Sequence, residues 1–220
     1  EARYNGTKTV AITPDYSEVA KLTDHWLHPK QGTDAALAFA FGHVILREFH
    51  LSNPSQYFTD YCRQYSDMPM LVRLDRREDG SYATGRYLRA SDLDGALGEA
   101  NNPEWKTLAF DENSGGLVVP HGSVGFRWGE KGRWNIEERD SQGRDTRLVL
   151  SLKDEHDGFV EVCFPYFGGV EHEGWTASPR EEILKRRIPA RKIMQADGGE
   201  VLVASVYDLL LAQYGLDRGF

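Results

Sequence analysis

Several common chemistries are ruled out by what this chain lacks. Of its 220 residues only Cys62 and Cys163 are cysteine, and no CxxC pair occurs. A structural zinc site or an iron–sulfur cluster takes more ligands than two isolated thiols. Reduced, buried thiols in a cytoplasmic protein are the expectation. No GxGxxG, GxxxxGK[ST] or GxSxG pattern is present, which argues against a dinucleotide fingerprint, a P-loop and a nucleophile elbow. No apolar run approaches the roughly 18 residues that a membrane helix needs. Basic residues are the minority, 26 Lys and Arg against 34 Asp and Glu, for a formal charge of −8. Non-specific nucleic-acid binding needs a basic surface, so it is not expected, although a local basic pocket around phosphates remains compatible. Signal-peptide pattern, internal repeat and low-complexity linker are all missing. The chain opens on Glu1-Ala2-Arg3 without an initiator Met, which reads as an internal segment of a longer protein.

The most informative residues lie in two turns near the start. Thr9-Val10-Ala11-Ile12 is a β-branched, apolar run suited to a buried parallel strand. Pro14 stops it within Thr13-Pro14-Asp15-Tyr16. Tyr16 to Thr23 places Val19, Ala20 and Leu22 at helical spacing, and His25-Trp26-Leu27-His28 returns as a second short strand ended by Pro29. In Lys30-Gln31-Gly32-Thr33-Asp34, Gly32 allows a tight turn, Thr33 is a candidate cap and Asp34 enters the first turn of a helix expected to reach about His50. In an open α/β sheet both turns fall at the carboxyl edge, where nucleotides bind. Asp34 then has two readings. One is compensation of the helix dipole. The other is a carboxylate that accepts from the N1 and N2 donors of a guanine, beside exposed backbone amides. Asp15 or the Thr13 hydroxyl would meet ribose hydroxyls.

Along the next helix Leu37, Phe41, Val44 and Ile45 form an apolar side, with Ala36 and Ala40 permitting close approach to a sheet. His43 among them reads as a structural histidine. Asn53-Pro54 starts another helix whose Tyr57, Phe58, Tyr61 and Tyr65 make an aromatic face, expected to serve as core. From Met70 the texture becomes β-rich. Strand-like runs at 71–74, 82–88, 105–110, 116–119, 147–152 and 159–164 are separated by turns such as Asp79-Gly80 and Asp157-Gly158. Pro179-Arg180-Glu181-Glu182 is expected to open a helix, and Asp197-Gly198-Gly199 to turn into a strand at 201–204. Tyr207 to Tyr214 reads as a terminal helix with Gly215 as C-cap. The Gly122 to Trp134 segment, with Arg127, Trp128 and Lys131, is either a basic, aromatic contact loop or a twisted hairpin with solvated charges.

Longer runs carry a family resemblance. A strand, Pro and a polar residue, followed by Gly32-Thr33-Asp34-Ala35-Ala36-Leu37, resembles the cofactor-binding region of the molybdopterin oxidoreductases, the dimethyl sulfoxide reductase family. The runs 43–50, 53–61, 67–72, 101–107, 125–132 and 164–169, and the tail 206–219, resemble more specifically the catalytic alpha subunits of respiratory membrane-bound nitrate reductases. The resemblance spans the whole chain. It departs at one place: many family members have Asp-Pro-Arg where this sequence has Thr13-Pro14-Asp15, so the acidic residue lies two positions later and its role at the ribose is open.

The resemblance implies a Rossmann-like α/β fold: a guanine-dinucleotide-binding core over residues 1–66, a β-rich, loop-heavy region over 67–178, and an α/β segment over 179–220 that returns to the core. It implies reduction of nitrate to nitrite in anaerobic respiration and nitrate assimilation, at molybdenum held by two molybdopterin guanine dinucleotides. Thr13, Pro14, Asp15, Gly32, Thr33 and Asp34 are the implied cofactor-binding residues. No residue here matches the family's molybdenum ligand or its four-iron four-sulfur ligands, so no catalytic or metal-ligating residue is assigned, and the segment alone is expected to be inactive. Implied partners are an iron–sulfur beta subunit and a haem-b membrane subunit, which would hold the protein at the cytoplasmic face of the membrane without a span of its own. Competing readings are a selenate, chlorate or formate oxidoreductase with the same cofactor, a non-catalytic subunit-docking module, and an independent hydrolase.

Overall fold

The computed structural model describes residues 2–93, 97, 103–120, 138–140, 142–167 and 181–216. The chain forms two units, Glu1–Ser52 and Asn53–Phe220. The expected contact loop around Arg127 and Trp128 lies outside the described residues.

The first unit is a βαβ arrangement followed by a longer helix. Strand β1 (Val10–Ile12) pairs in parallel with β2 (His25–Leu27), Ala11 opposite Trp26. The short α1 (Glu18–Lys21) connects them, and α2 (Asp34–Leu46) follows. Gly32 precedes α2 with φ +79°, in the left-handed region that glycine enters without steric cost. Beyond Leu46 the helix widens into a π-helical turn, Arg47–Ser52. The apolar stripe expected to pack on a sheet is instead open, since Phe41, Val44 and Ile45 are exposed and Leu46 is the buried residue of α2. The reason is the small sheet: a pair of three-residue strands offers too little surface to cover a thirteen-residue apolar helix.

The second unit is built on a closed, mixed five-stranded sheet, in the order β3 (Leu71–Arg76), β4 (Tyr82–Tyr87), β7 (Gly158–Phe167), β8 (Glu181–Met194), β9 (Glu200–Ser205) and back to β3. All its pairings are antiparallel except β4 with β7. A small hairpin of β5 (Ala109–Phe110) and β6 (Leu117–Val118) accompanies it. The alternation of strand side chains sends neighbours into different cores. Leu71, Val201 and Val203 pack with Leu88, Leu108 and Leu152, while Val72, Leu74 and Ala204 pack with Val162, Ile188 and Leu209. The register of β3 and β4 shifts between Val72 and Leu74. Gly85 faces that region, where a Cβ would stand 2.6 Å from an Asp75 carboxylate oxygen and 3.1 Å from the Arg73 carbonyl. An added side chain would have to displace the Asp75 carboxylate and would crowd the Arg73 carbonyl.

Two elements correct the sequence reading. The helix expected from Pro179 is the strand β8, ten of whose residues pair antiparallel with β7 from Gly158↔Ala190 to Phe167↔Glu181. Pro189 would break a helix at this point, because it lacks the amide proton and collides with the preceding turn. Helix α3 (Gln56–Tyr65) exists, but its tyrosines are not core: Tyr57, Tyr61 and Tyr65 are exposed and meet each other, with ring centroids 6.3 and 4.9 Å apart. The buried side of α3 is Cys62 and Arg63. Arg63 donates to the Leu148 carbonyl at 2.7 Å and to Glu112 at 2.8 Å, which ties the helix to the loops beside β5.

The terminal helix α4 (Val206–Gln213) follows the expectation, with Gly215 at φ +68° just after its last turn. Ser205 caps it, accepting from the Asp208 amide at 3.0 Å. The hairpin Gln195–Gly199 turns at Gly198, as its Asp-Gly-Gly sequence implies.

Candidate functional site

The parallel pairing of β1 and β2 puts their carboxyl ends at one edge, so the Thr13–Asp15 turn and the segment leading to α2 leave the sheet on the same side. Thr13 is held there by its amide, which donates to the Leu27 carbonyl at 3.1 Å. Its hydroxyl accepts weakly from the Asp15 amide at 3.4 Å, and the Asp15 carbonyl accepts from the Ser17 amide at 2.9 Å. Pro14 and Asp15 are exposed. Among the described residues no side chain pairs with the Asp15 carboxylate.

At the second turn Thr33 occupies the cap position without capping. Its hydroxyl is turned back to the Lys30 carbonyl, to which it donates at 2.6 Å, and no side-chain bond closes the start of α2. The first amides of a helix have no partner within the helix, so this end presents free donors. Asp34 lies beside them, exposed, with no protein partner among the described residues. Acceptors on a carboxylate next to donors on backbone amides match the Watson–Crick edge of guanine, which offers two donors and one acceptor. Adenine presents the opposite order at that edge.

Sequence reasoning did not single out the aromatic group at the same edge. The Trp26 indole N–H donates to the Thr13 carbonyl at 2.9 Å. Tyr16 meets the indole edge-on with centroids 5.1 Å apart, and His28 is tilted against it, also at 5.1 Å. The signal was the spacing of Trp26 and His28 about a short strand, but their convergence with Tyr16 depends on the βαβ turn.

The second unit contains a cavity of about 690 Å³ lined by Leu117, Val118, Asp111, Asp140, Arg144 and Thr146, among others. Two of its three carboxylates are committed to structure. Asp111 accepts from the amides of Asn113, Ser114 and Arg147, and Asp140 from those of Gln142 and Arg144 and from the Arg144 guanidinium. These bonds hold both below the usual carboxylate range, against burial, which is the largest influence and pulls upward. Cys62 and Cys163 are free and buried, and burial raises the Cys62 thiol to about 11. A thiol so protonated is a poor nucleophile. Among the described residues no three His, Cys, Asp or Glu side chains converge as a metal cage, and no helix is long and apolar enough to cross a membrane.

No protein-family profile matches the chain. Individual relatives do, over its full length. It is 60% identical to the respiratory nitrate reductase 2 alpha chain of Escherichia coli and 61% identical to the respiratory nitrate reductase 1 alpha chain of the same organism, with 100% of this chain aligned in each case. It is 41% identical to the respiratory nitrate reductase alpha chain of a Bradyrhizobium species over 98% of its length. It covers only 17%, 18% and 20% of those relatives. Over all of its own length the chain aligns with about a fifth of the length of the respiratory nitrate reductase alpha chains, at up to 61% identity among these relatives.

Proposed function

We propose that this chain is the part of a molybdenum-dependent nitrate reductase alpha subunit that holds the guanosine end of one molybdopterin guanine dinucleotide. The observation that carries the reading is the open Asp34 carboxylate beside the uncapped start of α2, at the common carboxyl edge of two parallel strands. Asp34 accepts from N1 and N2 of the guanine, and an adjacent backbone amide donates to O6. Gly32 keeps the turn free of side chain, while Thr13, Pro14 and Asp15 border the ribose. Strands β1 and β2 are then two members of a larger, Rossmann-like parallel sheet. The exposure of Val10, Ile12 and Leu27 supports this, since a buried parallel sheet is apolar on both faces.

In the whole subunit the bound molybdenum–pterin group supplies oxygen-atom transfer from nitrate, yielding nitrite. The residues of this chain contribute binding and orientation, and alone they are inactive. The four-iron four-sulfur cluster and the molybdenum ligand belong to other parts of the subunit. A beta subunit with iron–sulfur clusters and a haem-b membrane subunit deliver the electrons, which places the assembly at the cytoplasmic face of the membrane.

The test is Asp34→Ala in the alpha subunit that contains this sequence. Guanine nucleotide released by acid hydrolysis is counted per polypeptide. A drop of several-fold is expected in the variant. Full cofactor content in a folded variant would overturn the guanosine assignment.

A further inference from the structure

We infer that Trp26, flanked by Tyr16 and His28, is the stacking wall for the purine base, a role separate from the base-edge recognition at Asp34. The inference rests on the guanosine reading above and adds to it the residue that carries the flat surface of the base. Three observations support it. Trp26 stands in β2 opposite Ala11, one residue before the end of the strand, so its ring lies at the carboxyl edge that leads into both turns. The indole N–H is tied to the Thr13 carbonyl at 2.9 Å, which anchors the ring to the backbone of the first turn. Tyr16 packs against it in a T-shaped contact and His28 in a tilted one, with centroids 5.1 Å apart in each, yet Trp26 remains 37% exposed and Tyr16 61%.

Such a ring is already ordered before any ligand arrives. An immobilised aromatic side chain loses little further conformational freedom on binding, which is the condition under which stacking contributes most. Every purine has a π-face, so stacking binds the base without telling guanine from adenine. Discrimination is left to the carboxylate and amides at Asp34. The two contributions are therefore separable by experiment.

The alpha subunit that contains this sequence, purified without cofactor, and its Trp26→Leu, Trp26→Phe and Asp34→Ala variants, each checked for folding by near-ultraviolet circular dichroism, are titrated with GDP, ADP and ribose 5-phosphate. Trp26→Leu is expected to weaken GDP and ADP alike by about tenfold and to leave ribose 5-phosphate unchanged. Trp26→Phe, which keeps a π-face and loses the N–H, retains most of the affinity. Asp34→Ala loses the preference for GDP and keeps a residual affinity for both purines. GDP quenches tryptophan emission in the parent subunit, and the quenching is lost in Trp26→Phe. Unchanged GDP affinity in folded Trp26→Leu, with preference lost in Asp34→Ala, would overturn the stacking wall and leave the guanosine site standing. Equal losses for GDP and ribose 5-phosphate in both Trp26 variants would also overturn it, as they mark a purely structural residue. A folded parent subunit that binds no nucleotide overturns both readings.

Discussion

Asp34 and Asp208 are both aspartates in the first turn of a helix, and the structure gives them opposite surroundings. Asp34 is exposed beside an uncapped helix start. Asp208 is fully buried and accepts from the Ser151 hydroxyl at 2.7 Å, the Leu152 amide at 2.8 Å and the Ser205 hydroxyl at 2.9 Å. Burial outweighs these three bonds and raises its carboxyl to about 6. With the folded value above the unfolded one, the folded state holds the proton more tightly. The contribution to stability is therefore complete below the ordinary aspartate range and is lost as pH rises through about 6, a change on the order of 3 kcal/mol. Urea unfolding of Asp208→Asn at pH 4 and pH 7 checks this. The variant should gain on the parent chain by up to about 3 kcal/mol at the higher pH, and a difference independent of pH would refute the assignment. The sequence reading did not single out Ser205 or Asp208, and the Leu152 bond, which joins residues far apart in the chain, was not legible. Gly32-Thr33-Asp34 was legible as a turn into a helix because glycine and the helical periodicity act locally. That Thr33 bonds backwards to Lys30 instead of capping was not.

Elements were legible where local chemistry decides them and illegible where pairing does. The β1 and β2 runs, the Asp79-Gly80 and Gly198 turns and the terminal helix followed directly from short apolar or aromatic runs closed by Pro14 and Pro29, glycines with positive φ and Gly215 beyond the last helical turn. Strand β8 was missed because Pro-Arg-Glu-Glu resembles a helix start, and its partner β7 lies in a separate part of the sequence. The aromatic face of α3 was misread for a related reason: spacing gives the face but not what covers it. In β8 the alternation makes a sharp prediction. Ile193 is buried in the core with Val201 and Val203, whereas its neighbour Lys192, on the opposite face of the strand, is exposed. Ile193→Ala should cost about 3 kcal/mol, and Lys192→Ala should stay within about 0.5 kcal/mol. Both are read from urea midpoints, and similar effects at the two sites would contradict the strand assignment.

At the scale of the molecule the two units differ in how they cover apolar surface. The second closes its sheet on itself, so no strand edge among its five is left over, and two cores fill both faces. The first leaves Val10, Ile12, Leu27, Phe39, Phe41, Val44 and Ile45 exposed around a two-stranded pair. A parallel pair of this size does not cover its faces from within. That imbalance fits a chain spanning 17% to 18% of its Escherichia coli relatives. It also explains why α/β character was legible from the sequence while the exposure of α2 was not: spacing along the chain shows an apolar face but not what covers it. The first unit presents a carboxyl edge with Trp26 near the end of β2 and Thr13, Asp15 and Asp34 on the segments that leave it.

The most direct measurement is a calorimetric titration of the chain with GDP, with ADP and the Asp34→Ala variant as controls. Saturable binding that prefers GDP, with the preference abolished in the variant, is the predicted result. Equal affinity for GDP and ADP, or no binding by a demonstrably folded chain, would contradict a guanosine site at this edge and leave Asp34 as a residue that only balances the dipole of α2.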